Sequence, residues 1–298
     1  MTLDLTGRVA IVTGAGAGLG RAHANALAQR GARVIVNDLD VAAAEAVCEM
    51  IRSDGGDAVP NGANVTRLAE VAAMVEDAVS RWGKVDILVN NAGILRDRSF
   101  GKMDLDDFRL VLDVHVMGSV NCTKLVWDGM RAQNYGRIIF TTSSSGLYGN
   151  FGQSNYGAAK MALVGLMQTL AIEGARSNIR VNCLAPSAAT GMTNEVYTKD
   201  ALAGLGAEMV SPAVVALAAE DAPTRRIVLA GAGSFEQANI TMTEGVFLGA
   251  RADSADRLLA AMDQLADRTG EMIPQSGVEQ HQYEVKRANM AHSDLLRA

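Results

Sequence analysis

The chain has 298 residues, of which 49% are hydrophobic and 20% charged, so it can bury a substantial core and is neither disordered nor fibrous. Thirty glycines beside five prolines and 4% aromatic residues favour an α/β architecture over a β-sandwich. The net charge of -6 argues against a nucleic-acid partner, because nucleic-acid surfaces cluster Lys and Arg, which acidic residues outnumber here.

Short apolar runs alternate with helical patterns along the chain. The first run, Arg8 to Thr13, is rich in β-branched residues without polar alternation, which is typical of a strand covered on both faces of a parallel sheet. Such alternation builds βαβ units and predicts a doubly wound (Rossmann) parallel sheet of about seven strands with helices on both faces. The predicted strands are 8–13, 33–37, 57–59, 85–90, 137–142, 179–184 and 226–229, and the predicted helices are 19–30, 41–52, 68–82, 106–130, 155–176 and 212–219.

The pattern changes after Gly231. No further buried-strand run follows, but residues 254–266 place Leu258, Met262 and Leu265 on one helical face. We therefore interpret residues 1–232 as a dinucleotide-binding and catalytic domain. Residues 233–298 are interpreted as a C-terminal helical extension packed on that domain, and not as a separate domain.

The cysteines and the first residues of the chain indicate the cellular compartment in which we expect the protein. Cys48, Cys122 and Cys183 are far apart and odd in number, which gives no support to a disulfide framework or a metal site. The chain starts with a short acidic segment, and no window approaches about twenty uninterrupted apolar residues. We expect a soluble cytoplasmic protein with no membrane partner.

A glycine-rich turn follows the first predicted strand and opens a helix. Residues 13–20 read T-G-x-x-x-G-x-G, in which glycines let a pyrophosphate approach the backbone and the helix N-terminus offers free N–H groups. The general G-x-G-x-x-G spacing is not met, because Leu19 stands where its third glycine is expected. The turn nevertheless predicts a nucleotide site at Gly14, Gly18, Leu19 and Gly20.

An aspartate at the end of the second predicted strand suggests which dinucleotide binds. Asp38 follows Gly20 at a distance close to that of the acidic residue that binds an adenosine ribose. A carboxylate there accepts hydrogen bonds from the ribose hydroxyls and repels a 2′-phosphate, so it predicts NAD. The alternative is that Asp38 caps the next helix, a role that we assign to Asp40.

Two further motifs occur at predicted strand ends. Asn91-Ala92-Gly93 follows the fourth strand, where small residues let a cofactor pass close to the backbone. Tyr156 and Lys160 are spaced i and i+4 at the start of a helix, and Ser143 ends the fifth strand. An ammonium beside a phenol favours the phenolate, so these three residues predict general acid–base work on an alcohol, without a metal.

Together these motifs resemble the short-chain dehydrogenase/reductase superfamily over roughly residues 5–230. Within it, stretches such as residues 93–100, 134–139 and 148–153 resemble the (3R)-hydroxyacyl-CoA dehydrogenase portion of peroxisomal multifunctional enzyme type 2. The resemblance implies a Ser/Tyr/Lys active site, NAD at the glycine turn, and a subunit interface built by the helices around 106–130 and 155–176.

The sequence departs from the superfamily pattern at two places. The usual asparagine of the fifth helix falls at His115, which leaves open whether this residue relays protons or fills the core. Pro186-Ser187 replaces the usual Pro-Gly after the sixth strand, so no threonine contact to the nicotinamide is assigned. The predicted catalytic residues are Ser143, Tyr156, Lys160 and His115. The predicted cofactor-binding residues are Gly14, Gly18, Leu19, Gly20, Asp38, Asn64, Val65, Asn91, Ala92, Gly93, Tyr156, Lys160 and Pro186.

The expected function is the NAD-dependent oxidation of a (3R)-hydroxyacyl-CoA to the 3-oxoacyl-CoA. The alternatives are a 3-oxoacyl-[carrier protein] reductase, a hydroxysteroid dehydrogenase, and a non-enzymatic module that senses NAD. We expect a homo-oligomer, a dimer in the first place and a tetramer as the alternative. Four cations are candidates for contacts to CoA phosphates or an acidic carrier protein, unless they form a solvated face: Arg96, Arg98, Lys102 and Arg109.

Overall fold

The central element of the computed structural model, which describes residues 3–189 and 204–295, is one eight-stranded sheet in the order β3-β2-β1-β4-β5-β6-β7-β8. Strands β1 to β7 pair in parallel, and β8 pairs antiparallel with β7. The predicted doubly wound parallel sheet is therefore confirmed. The strands are β1 Val9–Thr13, β2 Arg33–Asn37, β3 Asp57–Asn61, β4 Ile87–Asn90, β5 Gly136–Thr141, β6 Ile179–Ser187, β7 Ile227–Gly231 and β8 Ser234–Ala238.

Helices cover both faces of the sheet, as the strand-helix alternation predicts. They are α1 Gly18–Ala28, α2 Val41–Ser53, α3 Leu68–Trp82, α4 Leu105–Leu112, α5 Gly118–Ala132, α6 Ser144–Tyr148, α7 Ser154–Gly174, α8 Ser211–Ala218, α9 Ser254–Ala260, α10 Met262–Leu265 and α11 Gly277–Leu295.

The strands are apolar throughout because both of their faces are buried. Val34 and Val36 of β2 pack in one hydrophobic layer with α1, α2 and α8, whereas Ile35 packs in the opposite layer with α3, α5 and α7. Strand β1 lies between β2 and β4, so the strand order reverses there. Doubly wound sheets bind ligands in the crevice at the carboxyl ends of the strands beside such a reversal.

The eighth strand is one that the apolar pattern did not predict. Ala232 and Gly233 both have positive φ, of 50° and 77°, and form a two-residue turn that returns the chain along β7. Strand β8 is largely exposed. An edge strand with one neighbour needs no buried apolar run, which is why the hydrophobic pattern contains no signal for it.

The predicted helix 106–130 contains an irregular turn. Helix α4 is followed by a π-helical turn at Asp113–Met117, and α5 begins directly after that turn. Single π turns inside helices often occur at functional sites. This turn carries His115, whose side chain is buried.

Contacts divide the chain into two compact units, Met1–Ala238 and Asn239–Ala298. In the second unit, the predicted helix 254–266 consists of α9 and α10, and Met242 pairs with Met272 in an antiparallel bridge. That the extension packs on the first domain stays a prediction. No described helix is both long and apolar enough to cross a bilayer.

Candidate active site

A cleft of about 400 Å³ opens at the carboxyl ends of the central strands. This volume lies within the range of small-molecule sites. The structure brings together twelve of the predicted residues, which come from distant parts of the chain. They are Gly14, Gly18, Leu19, Gly20, Asp38, Asn91, Gly93, His115, Ser143, Tyr156, Lys160 and Pro186.

The glycine turn has a backbone that only glycine forms readily. Gly14 and Gly18 have φ values of +62° and +51°, and a Cβ atom on Gly20 would lie 2.1 Å from the carbonyl oxygen of Gly14. Helix α1 starts at Gly18 without a side-chain cap and without an acidic residue in its first turn. Its first N–H groups therefore have no competing side-chain acceptor, and the residues present fit a bound pyrophosphate.

Asn91 and Ala92 hold this turn in place. The Asn91 side-chain amide donates to the carbonyl oxygens of Thr13 and Gly14, at 2.9 Å and 3.0 Å. The backbone N–H groups of Asn91 and Ala92 both donate to the Thr13 hydroxyl at 3.0 Å. Asn91 thus lines the cleft and supports it, whereas Ala92 lies outside the lining and contributes through its backbone.

Asp38 lines the cleft next to the glycine turn. Its Oδ2 atom accepts a 2.9 Å hydrogen bond from the Gly16 N–H, and its Oδ1 atom accepts one of 3.0 Å from the Asp40 N–H. A Cβ atom on Gly16 would come within 3.0 Å of Asp38 Oδ2. Asp40 itself caps α2 by accepting from Ala43, so the capping role predicted for Asp40 is confirmed.

Asn64 and Val65 are predicted cofactor residues that do not line the cleft. Asn64 Oδ1 accepts a 3.0 Å hydrogen bond from the Thr66 N–H, and Val65 is 7% exposed. A residue that no sequence motif predicted is Asn37, which is buried and donates to the carbonyl oxygen of Ala63 at 2.9 Å. Asn37 therefore positions the loop after β3 through a long-range contact that no local spacing reveals.

Ser143, Tyr156 and Lys160 meet at one end of the cleft. The Ser143 hydroxyl hydrogen-bonds the Tyr156 phenol, and this bond lowers the phenol pKa, although burial has the larger, opposite effect and the net pKa is raised. Lys160 Nζ lies 5.4 Å from the Tyr156 ring centre and donates a 2.6 Å hydrogen bond to the Thr141 carbonyl. Burial lowers the pKa of Lys160 to about 7.

His115 faces the same phenol from the π turn. Its Nε2 atom lies 2.8 Å from the carbonyl oxygen and 3.1 Å from the amide nitrogen of Ile94. Burial lowers the pKa of His115 to about 3, and the charge of Lys160 acts in the same direction. A Cβ atom on Gly93 would lie 2.3 Å from the imidazole, so the glycine gives this ring its space.

A series of polar contacts that the sequence did not predict joins segments 94–98 and 150–156 beside the cleft. The Ser145 hydroxyl donates to Gln153 Oε1 at 2.8 Å, and Gln153 Nε2 donates to Asp97 Oδ2 at 2.7 Å. The buried Asn155 donates to the Arg96 carbonyl at 2.9 Å. These contacts fix segments 94–98 and 150–156 against each other, and no local spacing signals them.

The arrangement is suited to proton exchange with a bound hydroxyl or carbonyl group. A phenol, a hydroxyl and an ammonium that share one end of a cleft hold, donate or accept a proton at a substrate oxygen. Within the described residues, no group of three or more His, Cys, Asp or Glu side chains is placed to hold a metal ion. Thr190 and Thr193, the threonines after Pro186, lie outside the described residues.

Comparisons with known proteins agree with this geometry. The family model "short chain dehydrogenase" matches residues 8–201. Peroxisomal multifunctional enzyme type 2 of Mus musculus is 48% identical over 73% of this chain, and the Drosophila melanogaster protein of the same name is 41% identical over 91%. This chain spans 30% of the mouse protein and 51% of the fly protein.

Solved structures extend the likeness to the three-dimensional fold. The full-length fly protein superposes with a TM-score of 0.83 at 36% identity, covering 97% of this chain and 50% of that chain. A 7α-hydroxysteroid dehydrogenase, solved in complex with NADH and 7-oxo glycochenodeoxycholic acid, superposes with a TM-score of 0.72 at 32% identity. That match covers 78% of this chain and 95% of the other.

Proposed function

The chain belongs to the short-chain dehydrogenase/reductase family, an enzyme family that acts on CH–OH groups with NAD or NADP, and we propose that it oxidises (3R)-hydroxyacyl-CoA to 3-oxoacyl-CoA with NAD. The observation that carries the proposal is the cleft itself. It joins the glycine turn and Asp38 at one end to Tyr156, Ser143 and Lys160 at the other.

The proposed roles follow from the contacts of each side chain. The Ser143 hydroxyl holds the oxygen of the substrate alcohol, and the deprotonated Tyr156 oxygen takes the proton from that oxygen. The C–H bond of the carbinol breaks with its electron pair as the C=O bond forms. The bound nicotinamide supplies the hydride acceptor for this step.

Lys160 has an electrostatic role in this proposal. Its ammonium lies beside the phenol ring and favours the phenolate, which burial alone disfavours. The Thr141 carbonyl fixes the ammonium at 2.6 Å, so the charge keeps one position relative to the phenol.

The preference for NAD rests on Asp38. The Gly16 N–H holds the carboxylate at the edge of the glycine turn, where it accepts hydrogen bonds from ribose hydroxyls and repels a 2′-phosphate. The assignment of a hydroxyacyl-CoA as the substrate rests on the stretches of sequence that resemble the dehydrogenase portion of peroxisomal multifunctional enzyme type 2.

The function is tested by following NADH formation with three substrates: a (3R)-hydroxyacyl-CoA, the same acyl group on carrier protein, and a hydroxysteroid. The expected result is the highest kcat/KM with the CoA thioester. A higher kcat/KM with the carrier protein or the steroid would replace the proposal with the corresponding alternative.

Tyr156→Phe separates an enzyme from an NAD-sensing module. We expect this variant to bind NADH and to lose nearly all turnover, because only the phenolic oxygen is removed. If wild-type protein binds NAD but oxidises no secondary alcohol, the sensing role replaces the enzymatic one.

Assembly and location are separate proposals. We infer a homodimer formed through α5 and α7, where Trp127, Leu166 and Leu170 line a shallow hollow. Light scattering tests this, and a tetramer would contradict it. The three cysteines are free and buried. A cytoplasmic location stays a prediction. Imaging of a tagged chain would distinguish a cytoplasmic location from a peroxisomal location.

A further inference from the structure

The segment from residue 96 to residue 109, beside the cleft, contains four cationic side chains, two of which have carboxylate partners. Arg96 Nε lies 3.4 Å from Asp107 Oδ1, and Arg109 Nη1 lies 2.8 Å from Asp106 Oδ1. Arg96 and Arg109 therefore already have carboxylate partners. Exposed ion pairs of this kind form a solvated face.

The other two cations are Arg98 and Lys102. Both are exposed, and neither forms an ion pair with any residue in the part of the chain that the structure describes. The remaining carboxylates of the segment are engaged elsewhere, because Asp97 accepts from Gln153 and Asp104 caps α4 by accepting from the Asp106 N–H. Arg98 and Lys102 are thus available to a ligand.

Arg98 is held at the rim of the cleft through its backbone. Its N–H donates a 2.9 Å hydrogen bond to the Gly152 carbonyl, and Arg98 pairs with Gln153 in a parallel bridge. Gln153 lines the cleft. Lys102 ends the short 3₁₀ turn Phe100–Lys102 that follows directly. Both cations therefore belong to one short segment, and Arg98 anchors that segment to the rim.

Exposed aromatic rings lie close in sequence to these residues, since Phe100 stands between Arg98 and Lys102, and Tyr148 and Phe151 precede Gln153. Phe100 is 74% exposed, Tyr148 is 69% exposed and Phe151 is 92% exposed. Aromatic faces in water stack on nucleobases, and arginine beside them binds phosphate through its planar fork of N–H donors. The rim thus offers aromatic rings that can stack on a nucleobase and cationic side chains that can bind phosphate.

We propose that Arg98 and Lys102 bind the phosphate groups of the CoA moiety, with the rim aromatics beside its adenine. This inference rests on the proposed function and deepens it. The reacting carbinol must lie at Tyr156 inside the cleft, so the pantetheine arm leads outward and the phosphorylated nucleotide end reaches the rim.

The charge of the rim favours CoA over an acidic carrier protein. Residues 96–109 contain four basic and four acidic side chains, so the segment has no net charge. A protein surface rich in carboxylates would meet Asp104, Asp106 and Asp107 as well as the cations. Two cations without an ion-pair partner suit a small ligand with concentrated phosphate charge instead.

The test compares two substrates with the same (3R)-hydroxyacyl group, one a thioester of CoA and one of N-acetylcysteamine, which lacks the nucleotide. In the double variant Arg98→Ala/Lys102→Ala, we expect KM for the CoA thioester to rise about tenfold, because each lost contact is a hydrogen bond to a charged group. KM for the N-acetylcysteamine thioester and kcat for both should not change. Arg109→Ala is the matched control, since it removes an exposed arginine that already has a partner.

Calorimetry with CoA alone separates this inference from the proposed function. If the double variant binds CoA as tightly as wild type, or if wild type does not bind CoA, the inference is overturned, whichever substrate the enzyme oxidises. If wild type binds CoA through these residues but oxidises no thioester, the rim assignment stands and the proposed reaction fails. Loss of activity confined to a carrier-protein substrate would also overturn the inference.

Discussion

The imidazole of His115 meets the phenol ring of Tyr156 edge to face, with 5.3 Å between the ring centroids and 84° between the ring planes. The phenol is therefore fixed from two sides, by this ring and by the Ser143 hydroxyl. Burial keeps His115 neutral at ordinary pH, because its pKa is about 3. We propose that His115 is a positioning residue that orients the phenol.

We expect His115→Ala to lower kcat at least tenfold with little change in KM for NAD. The substitution removes the edge-to-face contact and the partner of Ile94, which should also lower the free energy of unfolding by about 1–3 kcal/mol. His115→Asn should recover part of both losses, because an amide can still bond Ile94. Steady-state kinetics and urea unfolding measure the two effects.

The pH dependence of kcat distinguishes this role from proton transfer by His115. A neutral positioning ring contributes no ionisation near pH 7, so the profiles of wild type and His115→Asn should have the same shape. An inflection in the wild-type profile that disappears in the variant would show that His115 titrates during turnover.

The buried Lys160 should make stability depend on pH. Its pKa is about 7 in the folded chain, against 10.5 for a solvated lysine, so the unfolded chain binds more protons between these values. The free energy of unfolding should therefore rise from about pH 7 to about pH 10, by at most about 1.4 kcal/mol per pH unit from this group, and fall again as the pH is lowered.

Urea unfolding of Lys160→Met over the same pH range tests this contribution. The variant should lose the Lys160 part of the slope, whereas Lys286→Met, which removes an exposed lysine of α11, should keep it. Identical slopes in wild type and Lys160→Met would contradict the lowered pKa.

Gly93→Ala should disrupt the site through a steric contact. The new Cβ atom would lie 2.3 Å from His115 Cε1, so the ring must move, at a cost of about 1–3 kcal/mol, and kcat should fall with it. Gly129→Ala in α5 is the control, because nothing lies within 4 Å of its Cβ position. Thermal unfolding should show Gly93→Ala below wild type and Gly129→Ala at or above it.

Asp38→Ala should weaken the preference for NAD. We expect kcat/KM with NAD to fall about 10- to 100-fold, as hydrogen bonds to a charged group are lost, and the value with NADP to rise as the repulsion disappears. Asp40→Ala removes the cap of α2 and should cost about 1 kcal/mol of stability while leaving the NAD to NADP ratio unchanged. An unchanged ratio of kcat/KM with NAD to kcat/KM with NADP in Asp38→Ala would show that other residues select the cofactor.

Local patterns in the sequence were sufficient to predict the parallel α/β sheet, the glycine turn and most of the residues that meet in the cleft. Apolar runs define buried strands, and the carboxyl ends of parallel strands lie at one edge of the sheet. The spacing of Tyr156 and Lys160 could be recognised for a similar reason, since one helical turn brings them together.

Contacts between distant segments could be read only from the folded chain. The π turn, the space that Gly93 leaves for His115, the Asn37 contact to Ala63 and the carboxylate partners of Arg96 and Arg109 depend on side-chain positions across the fold. The exposed edge strand β8 depends on its neighbour and not on its own apolar pattern. Periodicity records which face of an element is buried, but it does not record which distant atom lies against that face.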